Sequence, residues 1–263
     1  MAHITTTLTN AEYRAQRGYS KSDLDLIHKS PALLEWKKNA PCEASEVAIT
    51  GTALHAAVLE PEKFAIEYVK RPEFGRTAQE KASKELHEAT MAGSGKIILD
   101  AEDYDQVTTM RDSILAHPVA AHLLGLPGVS EASIFFEIDG LRCKARPDRL
   151  VTDEPIILDV KTTDDVDKFQ ASAEEYRYHV QAAWYCEALR QLRGMEHRFI
   201  FVVVGKRKVF GQHPVRVFEM EPEWLAAGWL ACSEDLAAAK ELEEFGPSLH
   251  IETIHRPRWA KVW

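Results

Sequence analysis

A chain of 263 residues can bury a full core, and 45% hydrophobic with 28% charged residues is the balance of a folded protein, which excludes a disordered or low-complexity polymer. No apolar run reaches the roughly 20 residues that cross a bilayer, and Cys42, Cys143, Cys186 and Cys232 never fall at C-x-x-C spacing, which excludes zinc ribbons and thioredoxin-like redox motifs. The net charge of −9 excludes a surface coated in nucleic-acid-binding charge, but not DNA as a substrate, because positive potential is needed only where a strand passes.

The opening Met1-Ala2-His3-Ile4-Thr5 lacks the basic and apolar stretches of a secretory signal, so a cytoplasmic protein is expected. Ser20-Lys21-Ser22-Asp23 reads as a helix start, with Leu24, Ile27 and His28 following at helical spacing. Ser30-Pro31 is a second start, an N-cap with proline at the first helical position; that helix runs through Leu33, Leu34 and Trp36 and stops before Pro41. Thr50 to Leu59 reads as a third helix, ended by Pro61. Further helices are expected around residues 77–91 and 103–116, while Glu60 to Thr77 is too polar and irregular to assign.

The character changes after Gly128. Ser133 to Ile138 is a strand, Asp139-Gly140 a two-residue hairpin signal, and Leu141 to Arg146 the returning strand. Ile156 to Lys161 forms a third strand, apolar enough at its start to be buried, and completes an expected three-strand meander. A long helix from about Asp167 to Leu192 follows, then strands at Arg198–Val204 and Val215–Glu219, and a closing helix from about Glu221 to Glu244. The expected class is α/β, a mixed central β-sheet flanked by helices with an N-terminal helical region. A single domain is expected over 1–263, with 1–127 mainly helical, 128–220 holding the sheet core, and 221–263 the C-terminal helix and tail.

Chemistry concentrates in Arg146-Pro147-Asp148 and Leu158-Asp159-Val160-Lys161. Asp159 and Lys161 lie two apart on a strand, so they share a face at a spacing of about 6.6 Å. Asp148 falls where a proline interrupts the neighbouring ladder. A strand-end ion pair would explain Asp159 and Lys161 alone; Pro147-Asp148 eleven residues upstream weighs against that. Two carboxylates and an ammonium meet the needs of phosphodiester cleavage. Asp148 and Asp159 suit magnesium, a hard cation that prefers oxygen ligands, and the Val160 carbonyl is a candidate third ligand. Lys161 would orient the attacking water and favour its hydroxide form.

Pro147-Asp148 followed by Asp159-Val160-Lys161 resembles the PD-(D/E)xK nuclease core, and more narrowly the exonuclease domain of the RecE (exonuclease VIII) family. Gly51-Thr52-Ala53-Leu54-His55 is similar to that family's helical histidine motif, which implies that His55 contributes to metal binding. Gln181-Ala182-Ala183-Trp184-Tyr185 is similar to its Q-x-x-x-Y motif, and Ser20-Lys21-Ser22 through Ser30-Pro31 to its N-terminal S-x-S … S-P segment. The resemblance covers about residues 19 to 185. It implies a restriction-endonuclease-like core and a magnesium-dependent exonuclease, with manganese able to substitute. The implied substrate is linear double-stranded DNA, degraded 5′→3′ to leave 3′ single-stranded tails for homologous recombination. The implied partners are DNA ends, copies of the chain in a tetrameric ring, and a RecT-like single-strand annealing protein, with no membrane. A structure-specific endonuclease on the same core, or an inactive DNA-binding or assembly module, are the alternatives.

Read without the resemblance, His55 is an ordinary packing or capping histidine. Gln181 and Tyr185, four apart on one helix face, suit packing as well as DNA contact. Ser20 and Ser22 are helix caps first and phosphate contacts only by analogy. Glu131 and Glu137 border the first strand, where solvated side chains are the ordinary reading and an extra metal-site carboxylate the sharper one. Ala92-Gly93-Ser94-Gly95-Lys96 imitates the end of a phosphate-binding loop, but Ile97 replaces the required Ser/Thr and no strand precedes it, so no ATP hydrolysis is expected. With only Cys232 late in the chain, the four-cysteine iron–sulfur cluster of some related nucleases is not expected. Basic residues gather at Arg142, Lys144 and Arg146, which alternate along a strand, at Lys206-Arg207-Lys208, and in the tail at His255, Arg256, Arg258 and Lys261. Solvated charge is the plain reading of each; Lys206, Arg207, Lys208 and the tail are the candidate phosphate contacts.

Overall fold

The computed structural model describes residues 2–39, 46–72, 77, 79, 81, 83, 85, 86, 89, 90, 93–246, 255 and 256. The N-terminal part comprises β1 (His3–Thr5), α1 (Asn10–Ala15), α2 (Lys21–Lys29), α3 (Pro31–Asn39) and α4 (Glu46–Leu59). Thr9 and Glu12 close α1 with a reciprocal capping box. At the start of α2, Asp23 accepts from both the backbone N–H and the hydroxyl of Ser20, at 2.9 and 2.6 Å. Pro31 opens α3 as expected, whereas α4 begins at Glu46, ahead of the expected Thr50.

Pro61 does more than end α4. It starts α5 (Pro61–Glu67), which runs into β2 (Tyr68–Lys70), a strand parallel to β3 (Ile97–Leu99). These elements account for the first part of the segment that periodicity could not assign. α6 (Ala101–Ala116) and α7 (Pro118–Gly125) follow, divided by Pro118. Within the helix expected at 77–91, the described residues Gln79, Lys81, Ser83, Glu85, Leu86, Ala89 and Thr90 are helical; Gly93, Ser94 and Gly95 of the phosphate-loop look-alike form a turn ahead of β3, and the basic tail lies largely outside the described residues.

The strands are β4 (Gly128–Ser130), β5 (Ser133–Ile138), β6 (Leu141–Ala145), β7 (Arg149–Val151), β8 (Ile156–Thr163), β9 (Arg198–Gly205) and β10 (Val215–Glu219). β5 and β6 form the expected hairpin, with Asp139 and Gly140 at φ 49° and 86°, the doubly positive geometry of a type I′ turn. The expected meander is corrected. The hairpin joins β1 in a sheet ordered β1-β5-β6, while β8 sits in a separate sheet ordered β10-β9-β8-β7-β4. The cause is the short β7, which pairs Arg149 with Leu158 and Leu150 with Ile157 and so takes the edge of β8 that β6 would have needed. β8 and β9 run parallel and the other neighbours antiparallel, so the sheet is mixed.

The long helix expected from Asp167 is also corrected. A 3₁₀ turn leads into α8 (Phe169–Glu175), the chain breaks at Tyr176-Arg177, and α9 (Tyr178–Arg193) begins afresh. Arg177 sits at φ 54°, and its guanidinium donates to Asp25 at 3.2 Å and to buried Asp235 at 2.6 Å. α10 (Pro222–Phe245) lies against α9 so closely that a Cβ at Gly228 would stand 2.3 Å from the His179 carbonyl oxygen.

Strand alternation divides the core. Ile157, Phe199, Phe201 and Val203 pack toward α9 and α10, while Val160, Val202 and Val204 pack with Leu54 of α4 and Val107 and Met110 of α6. Asp159 and Lys161 share the parity of Ile157, so they face α9.

Candidate active site

β7 stops where the site begins. Continuing its register two residues back would set Pro147 opposite Val160, and proline has no N–H to offer the Val160 carbonyl. Two side chains replace the missing ladder. Asp148 Oδ2 accepts from the Val160 N–H at 2.7 Å, and His55 Nε2, in its donor tautomer, reaches the Val160 carbonyl oxygen at 2.9 Å. Asp148 thus stands at the head of β7, not at the end of β6, and α4 delivers His55 to it across the sheet.

With Nε2 committed, His55 Nδ1 faces Asp148 Oδ1 at 3.5 Å. Glu131 completes the group, for its carboxylate, His55 and Asp148 each bring a ligand atom within 4.8 Å of the others. Glu131 occupies the break between β4 and β5 at φ 54°, a backbone conformation uncommon for a non-glycine residue. Its N–H donates to the Asp148 carbonyl at 3.0 Å, and its Oε2 accepts from Arg146 at 3.0 Å. The expectation of a solvated Glu131 is therefore corrected, while Glu137 is exposed. No periodicity signals Glu131, because what aims it is the chain reversal between β4 and β5.

On the α9 face, Asp159 is fully buried. Its Oδ1 accepts from Gln181 Nε2 at 2.6 Å, and its Oδ2 meets the Lys161 ammonium at 2.5 Å. The ammonium also lies 5.0 Å from the centre of the Tyr178 ring, a cation–π contact. Tyr185, one turn beyond Gln181, is half-buried behind it against Phe199. The structure thus brings His55, Asp148, Asp159, Val160, Lys161 and Gln181 together and adds Glu131 and Tyr178.

The electrostatics follow from burial. Burial, then the charge of Asp159, pushes the Asp148 carboxyl well above the ordinary range, with Lys161 and the Val160 N–H pulling the other way. Burial and Asp148 together raise Glu131. Burial, seconded by Lys161, lowers His55 and keeps its imidazole neutral, the form that binds metal. Burial depresses Lys161, but Asp159 and Asp148 outweigh it and hold the ammonium above its ordinary value. An imidazole nitrogen and two crowded carboxylates form a donor set that fits a hard divalent cation, whose charge would relieve their repulsion.

The remaining candidates separate into two groups. Ser20 caps α2 and hydrogen-bonds Ser22, inside the first turn, at 3.0 Å; between them Lys21 donates to the Tyr176 carbonyl at 2.8 Å. Burial lowers the Lys21 ammonium, Asp25 opposes this, and Lys161 is among the charges that add to it, so this helix start adjoins the site. Lys206, Arg207 and Lys208 lie in the β9–β10 loop, directly after the end of β9 at Gly205. The solvated reading of Lys144 and Arg146 is corrected. Lys144 is buried and caps the end of α1 through the carbonyls of Tyr13, Arg14 and Gln16, and Arg146 holds Glu131 and the carbonyls of Leu8 and Thr9.

A family model described as a PDDEXK-like domain of unknown function (DUF3799) matches residues 20–245. The chain belongs to that family. No curated protein matches the sequence. Among solved structures, the chain is similar to a protein of Eubacterium rectale described as a candidate exonuclease, at 13% identity and a TM-score of 0.63 with 96% of each chain covered. That likeness shows a shared fold over nearly the whole chain. An alkaline exonuclease from Laribacter hongkongensis aligns at 16% identity and a TM-score of 0.34, over 73% of this chain and 95% of its own. No helix among the described residues is long and apolar enough to cross a membrane.

Proposed function

We propose that the chain is a divalent-metal-dependent exodeoxyribonuclease. The observation that carries this reading is the convergence of His55, Glu131 and Asp148 within 4.8 Å on one side of Val160, with the Asp159–Lys161 pair on the other. A magnesium ion, or manganese in its place, would be held by His55 Nδ1, Glu131, Asp148 and Asp159, and when bound it supplies charge neutralisation at the scissile phosphate. The Val160 carbonyl, occupied by His55 in the structure, would join the ligands through its second lone pair. Lys161 holds a proton at Nζ, and from its place beside Asp159 it orients water toward the phosphorus and lowers the cost of the hydroxide form. Gln181 fixes the Asp159 carboxylate; Ser20, Ser22, Tyr185, Lys206, Arg207 and Lys208 are the proposed DNA contacts.

The finer reading rests on the resemblance to RecE-like exonucleases. It comprises 5′→3′ degradation of linear duplex DNA to 3′ single-stranded tails, a tetrameric ring of copies, and service to recombination beside a RecT-like annealing protein. Linear duplex DNA and a covalently closed circle, each incubated with magnesium and with EDTA, test it. Magnesium-dependent loss of the linear DNA alone is expected, and end-labelling then reads the direction. Cutting of the circle would replace the exonuclease with an endonuclease on the same residues.

A further inference from the structure

The loop between β9 and β10 carries a feature that the hydrolytic site does not use. Val209 and Gln212 bond each other through both backbone pairs, at 2.7 and 3.2 Å, and close a two-residue turn. Phe210 and Gly211 form its tip at φ 50° and 84°, the type I′ geometry. That geometry favours Asn or Gly at the first position, and a phenylalanine with positive φ is an outlier there. The Phe210 side chain is also fully exposed. Its presence serves neither the backbone nor the core, so the isolated chain gains nothing from it.

The loop's surroundings say what covers the ring. Arg207 and Lys208 are exposed and make no ion pair among the described residues, and Lys206 leans on Asp164 at 3.5 Å. Three consecutive cations stand against a chain charge of −9. The base of the loop is fixed. The Lys206 N–H donates to the Thr163 carbonyl at 2.8 Å, the Lys206 carbonyl accepts from Gln106 at 3.1 Å, and the His213 N–H donates to Ser113 at 3.1 Å. Thr163 is two residues beyond Lys161 on β8, so the loop rises from the same end of the sheet as the ammonium of the site. Phe210 is four residues past Lys206, a reach of at most about 14 Å.

We propose that Phe210 is a base-stacking contact, an aromatic tip on a basic loop that packs against a nucleobase while Lys206, Arg207 and Lys208 hold the adjoining phosphates. A polyanion with flat apolar faces matches both halves of the loop, whereas a purely apolar partner would leave Arg207 and Lys208 unanswered. The inference rests on the nuclease reading above and adds a contact to it. The base comes from an unpaired strand or from an opened duplex end, and the two are told apart by the position of the probe.

The test uses the full chain with calcium in place of magnesium to hold cleavage back, and duplex DNA bearing 2-aminopurine either in a 3′ single-stranded tail or in the terminal pairs. Wild type is expected to change the fluorescence of one probe and Phe210→Asn to lose that change, with affinity weaker by roughly 5- to 100-fold. Phe210→Trp retains both. Phe210→Asn places the favoured Asn-Gly pair in the turn, so its melting temperature should equal or exceed that of wild type; a lower one would mark Phe210 as structural and overturn the inference. Wild-type affinity and fluorescence in Phe210→Asn would overturn it while leaving the nuclease reading intact. A changed sedimentation coefficient with unchanged DNA affinity would assign the ring to self-association instead. Failure of the wild type to bind or cut any DNA would remove the nuclease reading, and the inference with it.

Discussion

Gln181 donates from Nε2 to Asp159 Oδ1 at 2.6 Å, and this bond ties α9 to β8 at the centre of the site. Both side chains are buried, and the other Asp159 oxygen is taken by Lys161. The carboxylate is therefore oriented from both sides by the protein itself. Gln181→Ala leaves a buried oxygen without its donor, at a cost of about 1–3 kcal/mol. A lower melting temperature and at least a tenfold loss of cleavage rate are expected. A variant that melts and cleaves like wild type would show the bond to be incidental.

Asp159→Ala and Lys161→Met probe the same pair from its two ends, and their stabilities should differ. Without Asp159, the Lys161 ammonium still has Asp148 nearby to answer its charge. Without Lys161, the buried Asp159 and Asp148 carboxyls lose the cation that answers both. Breaking one partner of a buried pair costs roughly 3–5 kcal/mol, and the partial exposure of Lys161 places this case toward the lower end. Both variants should lose cleavage. In metal-free buffer Lys161→Met should unfold at lower urea than Asp159→Ala, which keeps its fold and much of its DNA binding. Near-wild-type cleavage by Asp159→Ala would mean that the metal site lies elsewhere.

Two-residue alternation on an apolar strand made Asp159 and Lys161 legible, and Pro147 marked the point where the neighbouring ladder fails. What alternation could not give was the pairing partner of β8, because a three-residue strand such as β7 carries too little pattern to be read. Sequence alone reads Glu131 first as solvated and only second as a metal-site carboxylate, and it does not single out Tyr178, for a related reason. Each is aimed by a break in regular structure, at Glu131 itself and at Arg177, where a non-glycine residue takes positive φ. Such breaks are set by tertiary partners, here Arg146 for Glu131 and Asp25 with Asp235 for Arg177. Lys144 shows the opposite error. An alternating basic strand looks solvated until the end of α1 arrives to accept its hydrogen bonds.

The carboxyl groups make stability depend on pH and metal together. Asp148 and Glu131 are raised by burial and by their neighbours' negative charge. Between the ordinary carboxylate value and the raised one, the native state binds more protons than the unfolded state, so metal-free stability falls as pH rises through that window. A divalent ion substitutes for the missing protons. The rise in melting temperature on adding magnesium to EDTA-treated protein should therefore be larger at pH 8 than at pH 5.5, and smaller at both in Glu131→Gln. Equal magnesium effects at the two pH values would separate these carboxyls from the metal.

Gly228→Ala sets two effects of opposite sign against each other. Alanine improves the intrinsic propensity of α10 by about 1 kcal/mol. Its Cβ, however, would stand 2.3 Å from the His179 carbonyl oxygen, so α10 and α9 must part. Overpacking of this kind costs roughly 1–3 kcal/mol, and here the obstacle is backbone that cannot rotate away. A lower urea midpoint is expected, with some loss of activity, since α9 carries Tyr178 and Gln181. A raised midpoint would mean that the helices do not approach so closely.

Charge reversal at Lys206, Arg207 and Lys208 separates binding from chemistry. Neutralised phosphates release counterions, and each lost contact should lower the slope of log affinity against log salt by about 0.9 on duplex DNA or 0.7 on a single strand. Glutamate at Arg207 and Lys208 disturbs no ion pair among the described residues, so the melting temperature should hold. Lys206 is different, because its side chain rests on Asp164 and a glutamate there would meet a like charge. The Arg207→Glu, Lys208→Glu double variant is thus the cleaner instrument. A raised KM with an almost unchanged kcat is expected, together with a flatter salt dependence, because the proposed role of these residues is to hold the strand and not to touch the scissile group. An unchanged affinity and slope would return the loop to ordinary solvated charge and leave the path of the DNA to the Ser20–Ser22 side of the site.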